Sequence, residues 1–393
     1  MSRVAEGEVH LTTAKRVAGW LRPAWVEVSL AAVEANAAYV AGLVAPARVC
    51  AIVKADGYGH GAVLVAEAAL AGGATYLGVA LAEEGHELRT AGIDAPVLVL
   101  SEPPPEAMRL VIEDGLIPTL YTEEGTHALL EAAARLNPEA PVPVHLKVDT
   151  GMHRVGATPG AAVELARAIA GEPRLRLDGL FTHLAVADAP ADPFTAHQLD
   201  VFEATRSALA RQGILPSLLH AANSAGALWH PRSRYDMVRP GIALYGLGPA
   251  PSVQDPLLGG LRPALSLKAE VTLAKEVAAG EGLSYGLRYR LTEPSTVATV
   301  PVGYADGVPR RLAGTGGEVL IGGRRYPIAG SVTMDQLMVD CGPGANVKAG
   351  DEVVLIGRQG DQEITAWDWA ERLGTIAYEV TCALSPRLPR IYT

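Results

Sequence analysis

Residues 51–61 read AIVKADGYGHG. The apolar run Val49–Val53 has the length and β-branching of a buried strand, and it delivers Lys54 to its C-terminal tip. A glycine-rich turn carrying Asp56, Tyr58 and His60 follows, and the alanine-rich stretch after it reads as a helix. A lysine at the mouth of a buried parallel strand is desolvated, which disfavours its charged form and makes it a usable amine nucleophile or base. Strand, turn and helix form one β/α unit, so the next question is whether that unit repeats.

It does. Candidate strands are Val49–Val53, Tyr76–Val79, Val97–Leu100, Pro118–Tyr121, Pro143–Val148, Leu177–Thr182, Ser217–Ala221 and Met237–Val238. Helical patterns lie between them, clearest at Glu83–Ala91, Glu123–Leu136, Ala161–Ile169 and Phe194–Gln212. Ala31–Leu43 precedes the first of these strands, with Ser29 able to cap it. Short apolar strands alternating with helices at this spacing predict an α/β fold, a TIM-type (β/α)8 barrel. After Gly260 the helical period fades. Alternating stretches at Leu267–Val277, Thr296–Val302, Gly317–Ile321, Gln336–Asp340 and Glu352–Ile356 predict a β-rich C-terminal domain with one short helix, Thr365–Leu373. We therefore expect an N-terminal extension over 1–23, a barrel domain over 24–262 and a β domain over 263–393.

Composition narrows the function classes. The 393-residue chain is 49% hydrophobic and 19% charged, a globular balance with room for two cores. A net charge of −10 leaves no basic excess for a nucleic-acid partner. No apolar run is long enough for a membrane span, and the first 24 residues lack a signal-peptide core, so the chain reads as cytoplasmic with no membrane partner. Cys50, Cys341 and Cys382 are too few and too far apart for a disulfide framework or a metal site, and read as small core residues.

Barrel chemistry gathers at strand C-termini. There the chain places Lys54 and Tyr58; then Lys147, Asp149 and Arg154 in HLKVDTGMHRVG; His183 in FTHLAVAD; Asn223 and Ser224 in HAANSAG; and Arg239, Gly241 and Ile242 in MVRPGIALYG. Backbone N–H groups at Gly241 and Ile242 with the hydroxyls of Ser224 and Tyr58 suit a phosphate. Arg154 suits a carboxylate, because a guanidinium can pair with it bidentately.

These strings, in this order, resemble the motifs of the alanine racemases, and the resemblance covers about residues 25–393. It implies a pyridoxal 5′-phosphate enzyme that interconverts L- and D-alanine and supplies D-alanine for peptidoglycan. Lys54 then carries the cofactor and acts as one base, and Tyr285 of EGLSYGLRYR acts as the other. Tyr58, Ser224, Gly241, Ile242 and Tyr378 hold the phosphate, Arg239 donates to the cofactor ring nitrogen, and His183 bridges Arg239 to the catalytic tyrosine. Arg154, with Met334 and Asp335 of SVTMDQ, touches substrate, and Tyr304 of GYADG and Tyr378 of IAYEV narrow the entrance. Lys147 matches a lysine that is often carbamylated.

The resemblance further implies a homodimer in which Tyr285, Tyr304, Met334 and Asp335 come from the partner subunit. The strand near Trp25–Val28 would join the C-terminal sheet. Thr333 stands where many relatives have cysteine, and Ala377 where asparagine or aspartate is common. Ala377 could widen the entrance, which leaves a racemase of broader preference, for serine or lysine, as the alternative. A decarboxylase would need no second base, and a single-barrel cofactor carrier would lack residues 265–393.

Overall fold

In the computed structural model, which describes residues 21–250 and 255–393, the chain forms two compact units. One spans Leu30–Ala264, and the other joins the N-terminal residues through Ser29 to Leu265–Thr393. The expected extension lies outside the described residues as far as residue 20. At its far end, Arg22 is anchored. Its guanidinium donates to both carboxylate oxygens of the fully buried Asp306, at 2.9 and 2.8 Å.

Strand β1 (Ala24–Val28) belongs to the second unit. The first unit contains β2 (Arg48–Ile52), β3 (Tyr76–Val79), β4 (Val97–Val99), β5 (Ile117–Leu120), β6 (Val142–Lys147), β7 (Leu175–Phe181), β8 (Leu218–His220) and β9 (Met237–Val238). They form a parallel sheet in the order β8-β7-β6-β5-β4-β3-β2-β9. Asp236 N–H donates to Leu219 O at 3.0 Å and Arg239 N–H to Ala222 O at 2.9 Å, which brings the two ends together into a nearly closed barrel. Each strand core expected from the sequence is present, with ends shifted by at most two residues.

Strand β6 shows how the sequence builds both faces. Leu146, with Val148 just beyond it, packs outward on Ala162, Leu165 and Ala166 of the helix Pro159–Ala170, and on Phe202 and Leu209 of the helix Phe194–Ala210. Val144 packs beside them on Leu129 and Ala133 of the helix Glu123–Leu136. His145 and Lys147 alternate onto the opposite, inner face. Fully burying one such leucine stabilises by roughly 1.5–3 kcal/mol, so this outer layer fixes the strand register that aims the polar inner face.

The second unit contains β10 (Leu265–Glu270), β11 (Leu273–Val277), β12 (Gly282–Leu283), β13 (Tyr289–Arg290), β14 (Ser295–Val300), β15 (Glu318–Ile321), β16 (Arg324–Ala329), β17 (Leu337–Asp340), β18 (Glu352–Gln359), β19 (Gln362–Ile364) and β20 (Arg390–Tyr392). The main sheet runs β11-β14-β17-β16-β15-β18-β10-β1-β20, with β19 on β18 and β12-β13 as a separate hairpin. In it β1 runs antiparallel to β10 and parallel to β20. Strict alternation in LSLKAE, buried at every second residue, gives β10 one wet and one dry face.

Three expectations are corrected here. The single strand 267–277 is two, because β10 pairs with β18 while β11 turns to pair with β14. The helix Ala366–Leu373, capped by Thr365 and Asp368 reciprocally, is followed by a second, Ala377–Cys382. Cys382 is exposed, unlike the buried Cys50 and Cys341. Among the described residues, no helix is long and apolar enough to cross a membrane.

Candidate active site

Lys54 follows Val53 at the C-terminal end of β2 and is half-buried. The next four residues, Ala55, Asp56, Gly57 and Tyr58, have φ of 53°, 51°, 60° and 54° with matching positive ψ, a left-handed helical turn. Only Gly57 adopts this without penalty; for each of the others it costs about 1–2 kcal/mol. Surrounding bonds over-determine the turn. Gly57 N–H donates to Val53 O, Ala62 N–H to Asp56 Oδ1, and Ala55 N–H to Glu84 Oε1, at 2.8, 2.9 and 2.7 Å. The other Glu84 oxygen accepts from Ala80 and Leu81 N–H at the end of β3. Strain held this way marks the turn that carries Lys54 as a site whose geometry matters.

The turn buries Tyr58 on Tyr245, with ring centroids 4.8 Å apart, and the Tyr245 hydroxyl donates to Ile52 O of β2 at 2.9 Å. A Cβ built on Gly241 would lie 2.3 Å from the Tyr58 hydroxyl, so only glycine permits that approach. Gly241 and Ala243 N–H donate to Ser224 Oγ at 2.9 and 3.3 Å, at the start of the short turn Ile242–Tyr245. Tyr58, Ser224, Gly241 and Ile242 thus form one small polar cradle.

Arg239, just past β9, is buried and its guanidinium is nearly fixed. Nη1 donates to His220 Nδ1 at 2.6 Å, and Nη2 donates to Thr182 O at 2.7 Å and Ala221 O at 3.1 Å, with His183 Nδ1 at 3.4 Å. Phe181 lies under it, 5.0 Å from the guanidinium carbon to the ring centroid. Of its five N–H groups, Nε–H and the second on Nη1 have no partner among the described residues. Burial lowers its pKa to about 10, which leaves it charged at neutral pH.

At the end of β6, Lys147 is buried, donates to Leu100 O at 3.2 Å and lies 5.2 Å from the Phe181 ring centroid. Burial, and then the charges of Arg239, Arg154 and Lys54, bring its pKa down to about 7, with Asp149 opposing. Asp149 accepts from Gly151 N–H, His153 N–H and His153 Nδ1, folding the loop that carries the exposed Arg154. A small open pocket is lined by Lys147, Asp149, Met152, Arg154, Thr182 and His183 among others. Lys147 and Arg154, with the nearby charges of Arg239 and Lys54 and only Asp149 opposing, favour an anionic occupant.

The remaining expected residues lie in the second unit. Tyr285 sits on the turn between β12 and β13, flanked by positive φ at Ser284, Gly286 and Leu287, and is 74% exposed. Ser284 Oγ donates to Ser331 O at 2.8 Å, tying this turn to the segment that continues into Met334 and Asp335. Tyr304 and Ala305 N–H donate to Thr333 O and Met334 O, which brings Tyr304 and Met334 onto adjoining loops. Met334 is 53% exposed, unusual for so apolar a side chain. Asp335 pairs with Arg387 at 2.6 Å. Tyr378, on the helix Ala377–Cys382, is half-buried, and Ala377 is fully buried, a packing position within this unit.

Several contributing residues were passed over by the sequence reading. Glu84 holds the Lys54 turn from 29 residues away. Gln198 accepts from Ala185 N–H and donates to His183 O and Thr150 Oγ1, pinning the His183 loop to the loop after β6. Nothing local in the sequence marks either. His145 had a signal, because HLK alternation puts it on the same face as Lys147.

The buried histidines carry a pH consequence. His145 is held neutral by burial, its pKa down to about 4, and burial followed by Arg239 holds His183 and His220 well below the usual range. All three are depressed, so the unfolded chain binds protons that the folded barrel refuses. Their stabilisation is complete above about pH 6.5 and is lost as pH falls toward the folded values. Between pH 7.5 and 5.5, above the carboxylate range, each costs about 1 kcal/mol. Urea midpoints should therefore drop markedly over that interval; a flat midpoint would mean the histidines are not buried neutral.

A parallel β/α barrel with a strained lysine turn, a glycine cradle and a cluster of cations at its strand C-termini has the construction of a barrel enzyme for small anionic molecules. The alanine racemase N-terminal domain family matches residues 28–249, and the alanine racemase C-terminal domain family matches residues 264–392. The chain is 49% identical over 372 residues to the alanine racemase of Symbiobacterium thermophilum, covering 95% of this chain and 97% of that one. It is 45% identical over 370 residues to that of Thermobifida fusca, covering 93% and 97%. The crystal structure of the Streptomyces lavendulae alanine racemase superposes with a TM-score of 0.90 at 37% identity, covering 95% of this chain and 98% of that one. That of E. faecalis gives 0.89 at 40% identity, covering 95% and 99%. The chain belongs to the alanine racemase family, and is an isomerase.

Proposed function

We propose that this protein racemises alanine by a two-base route, with Lys54 and Tyr285 on opposite faces of the reacting carbon and pyridoxal 5′-phosphate as cofactor. The observation that carries the reading is the mouth of the barrel, where the strained turn after Lys54 buries Tyr58 against the Gly241 cradle in a chain of this family. The residues fit the cofactor on two counts. The cradle brings the Tyr58 and Ser224 hydroxyls to the Gly241–Ile242 turn, at a glycine whose Cβ would strike Tyr58. Among the described residues Arg239 keeps N–H groups without a partner, on a guanidinium that cannot accept a proton.

When bound, the cofactor supplies the conjugated electron sink that acidifies the substrate Cα–H. Lys54 would hold it covalently between turnovers, and its amine, displaced by the substrate amine, would take or return the Cα proton on one face. The Tyr285 phenol does so on the other face, because one base cannot serve both faces without moving. Tyr58, Ser224, Gly241, Ile242 and the Tyr378 hydroxyl hold the phosphate. Arg239 donates to the ring nitrogen and leaves it unprotonated, since a cation beside a base disfavours its protonation. With that nitrogen unprotonated the cofactor would be a weaker electron sink. His183, whose carbonyl accepts from Gln198, would bridge Arg239 to the tyrosine of a second copy. Arg154 and the Met334 N–H fix the substrate carboxylate, with Asp335 beside them, and Tyr304 and Tyr378 limit substrate size.

Tyr285, Tyr304, Met334 and Asp335 act in this reading from a second copy of the chain, as a homodimer with shared sites. Their exposure supports it, since an exposed tyrosine turn and methionine are suited to meeting another surface. A sedimentation measurement showing an active monomer would remove that part. The product would serve peptidoglycan synthesis, which rescue of a D-alanine auxotroph would test.

Lys147 is proposed to be carbamylated. An amine with pKa about 7 is largely neutral above neutral pH and can add carbon dioxide, and the resulting anion would offset its cationic neighbours. Protein incubated with ¹³C-bicarbonate should show a carbamate carbon resonance that strengthens above about pH 7 and is missing in Lys147→Ala; its absence from the wild type would sink the assignment.

The deciding experiment is proton NMR in heavy water with protein, cofactor and L-alanine. Washout of the Cα proton with formation of both enantiomers is expected. If alanine is untouched while serine or lysine exchanges, the chemistry stands and the substrate falls.

A further inference from the structure

We infer that His145 is a positioning residue for Arg239, acting by fixing which nitrogen of His220 carries the proton. The inference rests on the reading above only in taking Arg239 to face the cofactor ring. The geometry leaves one arrangement. A guanidinium donates and never accepts, so His220 Nδ1, 2.6 Å from Arg239 Nη1, presents its lone pair. The His220 proton is then on Nε2, which faces His145 Nδ1 at 2.8 Å. His145 Nδ1 must accept, and the His145 proton is on its own Nε2. A proton on His145 Nδ1 would drive the His220 proton onto Nδ1, N–H against N–H. A doubly protonated His220 would do the same, and burial beside Arg239 opposes that charge.

Two further observations indicate that the imidazole is retained for its acceptor. His145 is fully buried, and its Nε2–H has no hydrogen-bond partner among the described residues. An apolar side chain of similar size would fill the space without stranding a donor. The strand beside it also makes room for the ring: a Cβ on Gly179 of β7 would lie 2.5 Å from His145 ring atoms. The relay Arg239 to His220 to His145 therefore runs in one direction. Without the last acceptor His220 can switch tautomer, confront Arg239 with a donor and turn the guanidinium away from its aim, with Thr182 O and Ala221 O as its remaining anchors.

The test compares wild-type holoenzyme with His145→Asn, whose Oδ1 replaces Nδ1 as acceptor, and His145→Leu, which fills the space without one. ¹⁵N NMR of histidine-labelled protein reads the tautomers. In wild type and His145→Asn, His220 should show a protonated Nε2 and bare Nδ1 throughout pH 6–9, and His145→Leu should show a mixture. In His145→Leu the cofactor absorbance band should shift and kcat fall by about tenfold or more, while KM for alanine stays within about twofold and His145→Asn recovers to within about threefold of wild type. His145→Asn as impaired as His145→Leu, or His145→Leu with wild-type spectrum and kcat, overturns the inference. If neither variant folds, the wild-type tautomer decides alone: a proton on His220 Nδ1 overturns it. A wild type that binds no cofactor would overturn the functional reading, while the tautomer measurement would still judge the relay.

Discussion

Lys54→Ala is expected to lower kcat/KM for alanine racemisation by about 10⁴-fold or more, since one change removes both a covalent anchor and a base. The substitution leaves the backbone of the turn alone. Its left-handed residues begin at Ala55, and the bonds of Ala55, Asp56 and Gly57 to Glu84, Ala62 and Val53 do not involve the lysine side chain. Circular dichroism and the urea midpoint should stay near wild type while the cofactor's bound absorbance band disappears and gel filtration strips the cofactor. Retained activity, or a covalently held cofactor in the variant, would show that another amine serves and would remove Lys54 from its role.

Tyr285→Phe is expected to lower kcat by about 10²–10⁴-fold with the cofactor still bound. The two directions of the reaction should part company. Exchange of the Cα proton, started separately from L- and from D-alanine, should persist from one enantiomer and collapse from the other, because one face keeps its base. The exposed ring makes this a clean substitution: Phe preserves the side-chain shape, and among the described residues no hydrogen bond uses the phenol. Equal loss from both enantiomers would argue for a structural tyrosine, and no loss from either would end the two-base reading.

The sequence was most legible where chemistry and period coincide. Lys54, Lys147, Arg239 and His183 were readable because each ends a short apolar strand, and a parallel barrel turns strand ends into a single rim. Arg154, Ser224 and Gly241 followed from the same rule, one loop further on. Tyr285, Tyr304, Met334 and Asp335 were readable only through resemblance, since a tyrosine or methionine between short β-strands carries no local mark of function. Their exposure in the structure is what distinguishes them from core. The break between β10 and β11 escaped because two strands with alternating residues read as one when the turn between them, Val271–Thr272, is itself β-branched.

By itself, then, the sequence determined the layout: eight buried strands with polar tips, a β-rich second half, and the residue types needed at the rim. These are local properties, set by hydrophobic period, glycine turns and the donor or acceptor character of each side chain. Only the tertiary structure decided how those side chains are aimed. The left-handed hand of Ala55–Tyr58 depends on Glu84 from another β/α unit, the fixing of His183 on Gln198, and the proton positions on His220 and His145 on a guanidinium that cannot accept. Each is a contact between distant parts of the chain, and hydrogen-bond direction within a buried network is set by all its members together.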